Sequence, residues 1–129
     1  MTASDHAVEL IRAAAVAASD KLATDQLAFD VSEQLAITDA FLLASGGNDR
    51  QVRAIVEEVE DKLRELGAKP IRREGHRDGR WVLLDYGDVV IHVQHTEERE
   101  FYALERLWRD CPLIELPAEI TAPAGSAGE

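Results

Sequence analysis

The sequence predicts an α/β domain built on a mixed five-stranded sheet that is flanked by helices. Helical and strand-like patterns alternate along most of the chain. One long amphipathic helix separates two strand-like runs, which is the arrangement of a right-handed crossover between parallel strands. Tyr86-Gly87 joins two further runs, as a short antiparallel hairpin requires. Parallel and antiparallel pairs should therefore occur in one sheet.

The first half of the chain reads as a helix, two strands and a second helix. Apolar residues recur every three or four positions from Ser4 to Ala23, which predicts an Ala-rich amphipathic helix. Residues 27–31 and 40–44 are strand-like, and the second run is continuously apolar, as in a strand buried on both faces. Asn48 follows a Ser-Gly-Gly break and can cap a helix over residues 49–66.

The second half adds three strands and a last helix. Residues 71–74 form the strand that the crossover would place parallel to residues 40–44. Residues 81–85 and 88–94 form the hairpin. Thr96 is the expected N-cap of a helix that continues to about Asp110. This helix would bury one face, which consists of Phe101, Leu104 and Trp108.

Domain organisation follows from length and composition. Residues 1–111 should form a single α/β domain, because 129 residues with 46% hydrophobic content can bury a sizeable core. Residues 112–129 are rich in Pro, Ala and Gly, which predicts a flexible C-terminal tail without further core. The single cysteine cannot form an internal disulfide, and neither a signal peptide nor a long apolar span is visible. A cytoplasmic location is expected.

The charge favours a basic protein as partner. The net charge is -11 and the isoelectric point is about 4.7. Broad association with nucleic-acid phosphates needs clustered Lys and Arg, so we expect little direct nucleic-acid binding and no membrane association.

The hairpin carries the candidate binding site. Strand side chains alternate between faces, and one face of the hairpin is purely aliphatic and should be core. The opposite face combines apolar and polar side chains without a set of reactive groups, which is typical of partner binding. This face contains Trp81, Leu83, Asp85, Val90, His92 and Gln94, and Glu74 lies at its rim.

The patterns associated with catalysis are incomplete. Gly46-Gly47 precedes a helix, but no Lys or Ser/Thr completes a phosphate-binding loop. His92 and His95 are three positions apart in a strand, so their imidazoles should point to opposite faces and bind no shared metal. Cys111 lacks the cationic surroundings that activate a thiol. We therefore expect no catalytic residues, no cofactor and no metal.

Several blocks resemble the ribosomal silencing factor family, also called Iojap-like. They are Asp-Ala-Phe at 39–41, Ser-Gly-Gly-Asn-Asp-Arg-Gln at 45–51, Glu-Gly at 74–75, Trp-Val-Leu-Leu-Asp-Tyr-Gly-Asp-Val-Val-Ile-His-Val at 81–93 and Arg-Glu-Phe-Tyr-Ala-Leu-Glu-Arg-Leu-Trp at 99–108. The last two blocks are long and lie in the family's order.

The resemblance implies a non-enzymatic translation repressor. Family members bind the large ribosomal subunit through universal large-subunit ribosomal protein number fourteen and block joining of the small subunit; some are linked to large-subunit assembly. The resemblance also implies a nucleotidyltransferase-like core. The metal-binding carboxylate pair of that class is missing, because Glu57 and Glu58 lie on a helix and Asp85 and Asp88 flank a turn. A nucleotidyltransferase-like enzyme and self-association through the hairpin face remain as alternatives.

Overall fold

The computed structural model describes residues 3–121 and confirms the α/β class with a mixed five-stranded sheet. The elements are α1 (Asp5–Asp20), β1 (Thr24–Asp30), β2 (Ala40–Gly46), α2 (Asp49–Glu65), β3 (Arg72–Glu74), β4 (Trp81–Asp85), β5 (Val89–His95), α3 (Thr96–Tyr102), α4 (Leu104–Leu107) and α5 (Ala118–Thr121). Both predicted long helices and the hairpin are present.

The strand order differs from the predicted one. The order is β1-β2-β5-β4-β3, with β2 parallel to β5 and the other neighbours antiparallel. The crossover through α2 therefore ends at the far edge of the sheet, and the prediction that β3 lies beside β2 is wrong. Burial agrees with this order. The interior strands β2 and β5 are almost wholly buried, whereas all three residues of the edge strand β3 are exposed.

The two faces of the sheet have different cores. The aliphatic face is the one covered by α1 and α2, and it buries the hairpin side chains that the alternation assigned to the core. These are Val82, Leu84, Val89, Ile91 and Val93. The aromatic face is the one covered by α3 and α4. It carries Phe29, Phe41, Leu43 and Val90, against which Leu83, Leu104 and Trp108 pack.

Local hydrogen bonds fix the start of both long helices, and the sequence predicted the cap at Asn48. The Ser4 hydroxyl accepts from the Ala7 amide at the start of α1. Asn48 Oδ1 accepts from the Gln51 amide at 2.8 Å, and Gln51 Oε1 accepts from the Gly47 amide at 2.6 Å. The Gly-Gly segment is thus part of a helix cap.

The single last helix expected from Thr96 to Asp110 is wrong. Its N-cap is His95, whose Nδ1 accepts from the Glu97 amide at 3.1 Å. Ala103 has φ 45° and ψ 52°, a left-handed conformation that ends α3 and starts the short α4. The break reorients the residues before it. Trp108 packs as predicted, whereas Phe101 is 80% exposed.

The expectation that no core lies beyond residue 111 is wrong at Leu116, which is buried in the main core. The preceding segment follows the outer edge of β1. The Asp30 amide donates to the Pro112 carbonyl at 2.8 Å, and the Ile114 amide donates to the Ala28 carbonyl at 2.8 Å. The division of the chain at residue 111 into a domain and a flexible tail stays a prediction, and residues 122–129 lie outside the described residues.

Candidate functional site

An exposed group of aromatic and aliphatic side chains lies where the hairpin meets α3. We call it the Trp81 surface and define it as Trp81, Leu83, Phe101 and Tyr102. The Tyr102 ring centroid is 4.8 Å from that of Trp81, and the Phe101 ring meets Tyr102 edge-on at 5.0 Å. Trp81 and Leu83 are partly buried, while Phe101 and Tyr102 are exposed. The indole is therefore not sealed beneath α3 but lies among accessible apolar groups.

The buried His92 side chain fixes the indole of Trp81 through a hydrogen bond. Trp81 Nε1 donates to His92 Nδ1 at 3.1 Å. The imidazole is only 8% exposed, and this burial lowers the pKa of His92 to about 4. A neutral imidazole whose Nδ1 accepts a hydrogen bond carries its proton on Nε2. His92 therefore serves as a fixed acceptor for Trp81 near neutral pH.

Further aromatic rings support His92 inside the protein. The Phe41 ring meets His92 edge-on at 5.4 Å and Trp108 edge-on at 5.1 Å. Such edge-to-face contacts add to the free energy gained from burying the rings. A continuous row of rings thus links the Trp81 surface to the core of the aromatic face.

A close backbone contact fixes the start of β4. Gly75 has φ 81°, and a Cβ atom at this position would lie 2.0 Å from the Trp81 carbonyl oxygen. Only glycine allows the loop between β3 and β4 to pass so near the strand. Gly75 therefore helps to set the position of the Trp81 backbone.

The seven residues predicted for partner binding fall into two groups. Trp81, Leu83, Asp85 and the exposed Glu74 all present surface. Val90, His92 and Gln94 lie on the predicted face but are buried, and Gln94 is 0% exposed. The reason is that α3 and α4 cover this part of the sheet. Buried residues offer no area to a partner in this structure, so direct contact remains a prediction for the first group alone.

Sequence reasoning missed Phe101 and Tyr102 as surface residues. The spacing of Phe101 to Leu104 and Trp108 predicted a buried stripe, and no role was predicted for Tyr102. The break at Ala103 removes that register. The sequence carries no signal of the break at Ala103, since alanine usually continues a helix.

Ion pairs lie at both ends of the hairpin. Arg72 bonds Glu74 at 3.1 Å and Asp85 at 3.5 Å. At the other end, Arg80 donates to Glu97 and Glu98, each at 2.7 Å. Exposed ion pairs contribute little to stability, so their carboxylates can exchange partners at modest cost.

Other groups that could take part in chemistry are held in structural interactions or are buried. His95, Glu97 and Glu98 bring donor atoms within 4.8 Å of one another, but the Arg80 guanidinium binds both carboxylates. Burial raises the pKa of the Cys111 thiol, which disfavours the nucleophilic thiolate. Asp85 accepts from the Gly87 amide at 2.8 Å and so stabilises the hairpin turn.

A rigid aromatic surface on a small α/β domain is typical of a protein-binding module. The chain belongs to the family described as ribosomal silencing factor during starvation, whose model matches residues 4–128. It is 45% identical to Ribosomal silencing factor RsfS of Bacillus subtilis over 107 residues, which cover 83% of this chain and 91% of that protein. It is 34% identical to maize Protein Iojap, chloroplastic, covering 80% of this chain and 45% of that protein.

Solved structures support the same fold. A crystal structure of a protein from Chromobacterium violaceum is 34% identical, with a TM-score of 0.76 over 92% of this chain and 93% of that chain. A crystal structure from Bacillus halodurans is 41% identical, with a TM-score of 0.74 over 84% and 98% of the two chains. Within residues 3–121, the helices are too short or too polar to cross a membrane.

Proposed function

We propose that this protein binds the large ribosomal subunit through universal large-subunit ribosomal protein number fourteen and thereby prevents joining of the small subunit. The Trp81 surface is the proposed contact, and its exposed aromatic cluster is the observation that carries the proposal. Membership of the ribosomal silencing factor family supports the ribosome as target. A cytoplasmic location is part of the same proposal.

The contacts around Trp81 suit a binding anchor. Large aromatic side chains dominate many interfaces, because they bury much apolar area at little cost in side-chain entropy. Here His92 and Tyr102 already restrict the indole, so binding loses less of its freedom. Nearby carboxylates, including Glu74 and Asp85, would form an acidic rim for a basic ribosomal protein.

The proposed repression is steric. A specific complex usually buries about 1,600 Å² in total, which is small compared with a ribosomal subunit. Such a contact stops subunit joining only if it lies where the other subunit must bind. No chemical step is required, so the protein acts in this proposal without catalysis, and the nucleotidyltransferase-like description of its fold stays a prediction.

Large-subunit assembly is the second candidate function. One relative, from mouse, is named Mitochondrial assembly of ribosomal large subunit protein 1 and is 31% identical over 104 residues. The same surface would serve both functions, because each requires contact with the large subunit.

Replacing Trp81 with Glu tests the proposed contact. The added charge and the lost ring should weaken binding by about 2 kcal/mol or more, on the order of 30-fold. Purified protein would be mixed with separated subunits, and the formation of joined ribosomes and co-sedimentation with large subunits would be measured. Leu66→Glu is the control, because Leu66 is an exposed apolar residue at the end of α2 on the opposite face.

Retained co-sedimentation of Trp81→Glu with large subunits would show that the contact lies elsewhere. Light scattering of the same variants tests the self-association alternative, because a dimer built on the Trp81 surface should become monomeric in Trp81→Glu and not in Leu66→Glu.

A further inference from the structure

The helix α3 supplies Phe101 and Tyr102 to the Trp81 surface, and an arginine fixes it to the sheet. Arg99 alone is buried among the seven residues of α3, all of which the structure describes. Helices usually pack on a sheet through a stripe of apolar side chains. In α3 a guanidinium takes the buried position instead.

The side chain of Arg99 connects α3 to β2 and to α4. Its Nη1 donates to Ser45 Oγ at 2.9 Å, and Ser45 is fully buried in β2. Its Nε donates to Glu105 Oε1 at 3.3 Å, across the left-handed break at Ala103. The main-chain carbonyl of Arg99 also accepts from the Ala103 amide at 3.0 Å. Arg99 therefore fixes both the position of α3 on the sheet and the turn that follows it.

Packing around this contact is incomplete. A cavity of about 410 Å³ lies beside it, and the lining includes Leu27 and Ser45 from the sheet and Thr96, Arg99 and Glu105 from the helical segment. Because this space lies between β1 and α3, apolar packing gives α3 little support on that side. The hydrogen bond from Arg99 to Ser45 is the direct link from α3 to the sheet there.

Gln94 makes the docking of α3 less favourable. It lies on the covered face, beside Trp81 of β4 and Ser45 of β2, and is 0% exposed. Neither its Nε2 nor its Oε1 forms a hydrogen bond with a described residue. Burying unpaired polar groups costs free energy. The contacts of Arg99 offset this cost, so their loss should favour molecules in which α3 has moved away from the sheet.

The first turn of α3 has weaker support. Arg80 donates to Glu97 and Glu98, and the Arg80 side chain is 43% exposed. Exposed ion pairs contribute little to stability. These pairs lie at the start of α3, whereas Phe101 and Tyr102 lie at its end. The end of the helix therefore depends on Arg99.

We propose that Arg99 is a positioning residue for partner binding, because it holds α3 where Tyr102 lies against Trp81. Arg99 itself is only 7% exposed and acts through these two rings. The inference deepens the proposed function and rests on it as far as the ribosome is concerned. A partner that needs the complete Trp81 surface binds only molecules with α3 docked, so the apparent affinity follows the docked fraction.

Fluorine NMR of the full chain labelled with fluorotryptophan tests the position of Tyr102. The chain contains two tryptophans, and Trp81→Phe identifies the Trp81 resonance. We expect Arg99→Gln to move this resonance in the same direction as Tyr102→Leu, which removes the neighbouring ring. Ser45→Ala should also move it. Combining Ser45→Ala with Arg99→Gln should add little, because both changes break the same contact.

Co-sedimentation with large subunits tests the consequence for binding. Arg99→Gln should weaken binding about tenfold, since it removes a hydrogen bond to a charged group. Ser45→Ala serves as the test if Arg99→Gln shows an altered circular dichroism spectrum. The matched control is Arg64→Gln on α2, which removes an arginine paired with Asp61 at 2.9 Å. The control should match the wild type in both measurements.

A Trp81 resonance that stays in place in Arg99→Gln and Ser45→Ala would overturn the proposal. A general loss of stability would leave the resonance of the folded molecules unchanged. Wild-type affinity of Arg99→Gln for large subunits, with the resonance moved, would also overturn it. If the wild type itself does not bind large subunits, the proposed function is refuted, and the resonance alone then decides whether Arg99 positions Tyr102.

Discussion

The two faces of the central sheet are built from different chemistry. The aliphatic face is closed by α1 and α2, and its hairpin side chains are fully buried. The aromatic face is closed only in part, because α3 ends after seven residues and α4 has four. Its rings form a row from Trp108 to Trp81 that ends at the surface. The first face therefore provides stability, and the second combines packing with recognition.

The largest expected difference between the faces is the loss of stability when two neighbouring leucines of β4 are each replaced with alanine. Leu84 is fully buried on the aliphatic face, and Leu83 is partly buried on the aromatic face. Leu84→Ala should lower the free energy of unfolding by about 3 kcal/mol, because it leaves a cavity, and Leu83→Ala by about 1 kcal/mol. Urea denaturation of both variants measures the difference. Equal losses would contradict the division of roles.

The buried histidine on the aromatic face, His92, should make the stability of the protein depend on pH. The folded protein lowers the pKa of His92 from 6.5 to about 4, so the unfolded chain binds this proton more readily. Stability should fall as pH decreases from about 6.5 to about 4. The contribution of His92 to this loss is roughly 3 kcal/mol.

The measurement is urea denaturation across this pH range for the wild type and for His92→Gln, which retains an acceptor for Trp81. The variant should lose less stability on acidification. His6→Gln is the control at an exposed histidine and should follow the wild type. A His92→Gln curve that runs parallel to the wild-type curve would show that His92 is not the responsible group.

The smallest expected effect is that of replacing alanine with glycine. The change in stability should have opposite signs at Ala103, on the aromatic face, and at Ala54, in a helix on the aliphatic face. Ala103→Gly should stabilise the protein by up to about 1 kcal/mol, because glycine adopts the left-handed conformation between α3 and α4 without steric cost. Ala54→Gly, inside α2, should destabilise it by about 1 kcal/mol. Thermal unfolding measures both. Destabilisation by both changes would indicate that the break at Ala103 is absent in solution.

Local patterns predicted the elements better than their arrangement. The bounds of β4 agree with the predicted strand, and α2 begins at its predicted cap, Asn48. The start of α1 was predicted near Ser4, but its cap was not. The position of β5 between β2 and β4 depends on which strands compete for the buried centre, and short-range periodicity does not contain that information. The break at Ala103 also lacks a local signal such as glycine or proline.

The candidate site was predicted only in part, because local patterns do not show how distant elements pack. Alternation placed Trp81 and Leu83 correctly on the face opposite the aliphatic core. It did not predict that Gln94 is covered. That burial depends on how α3 docks, and the docking includes the hydrogen bond from Arg99 to Ser45, 54 positions apart in sequence. Charged residues are seldom buried, so the sequence gives no reason to expect Arg99 inside.

The segment after Cys111 has a consequence for solubility. Its two main-chain hydrogen bonds shield the outer edge of β1, and the opposite edge of the sheet is a strand of only three residues. Unprotected strand edges template pairing with other chains and lead to aggregation. Shortening the polypeptide at residue 111 would therefore expose the longer edge and remove Leu116 from the core, and the exposed edge would promote aggregation.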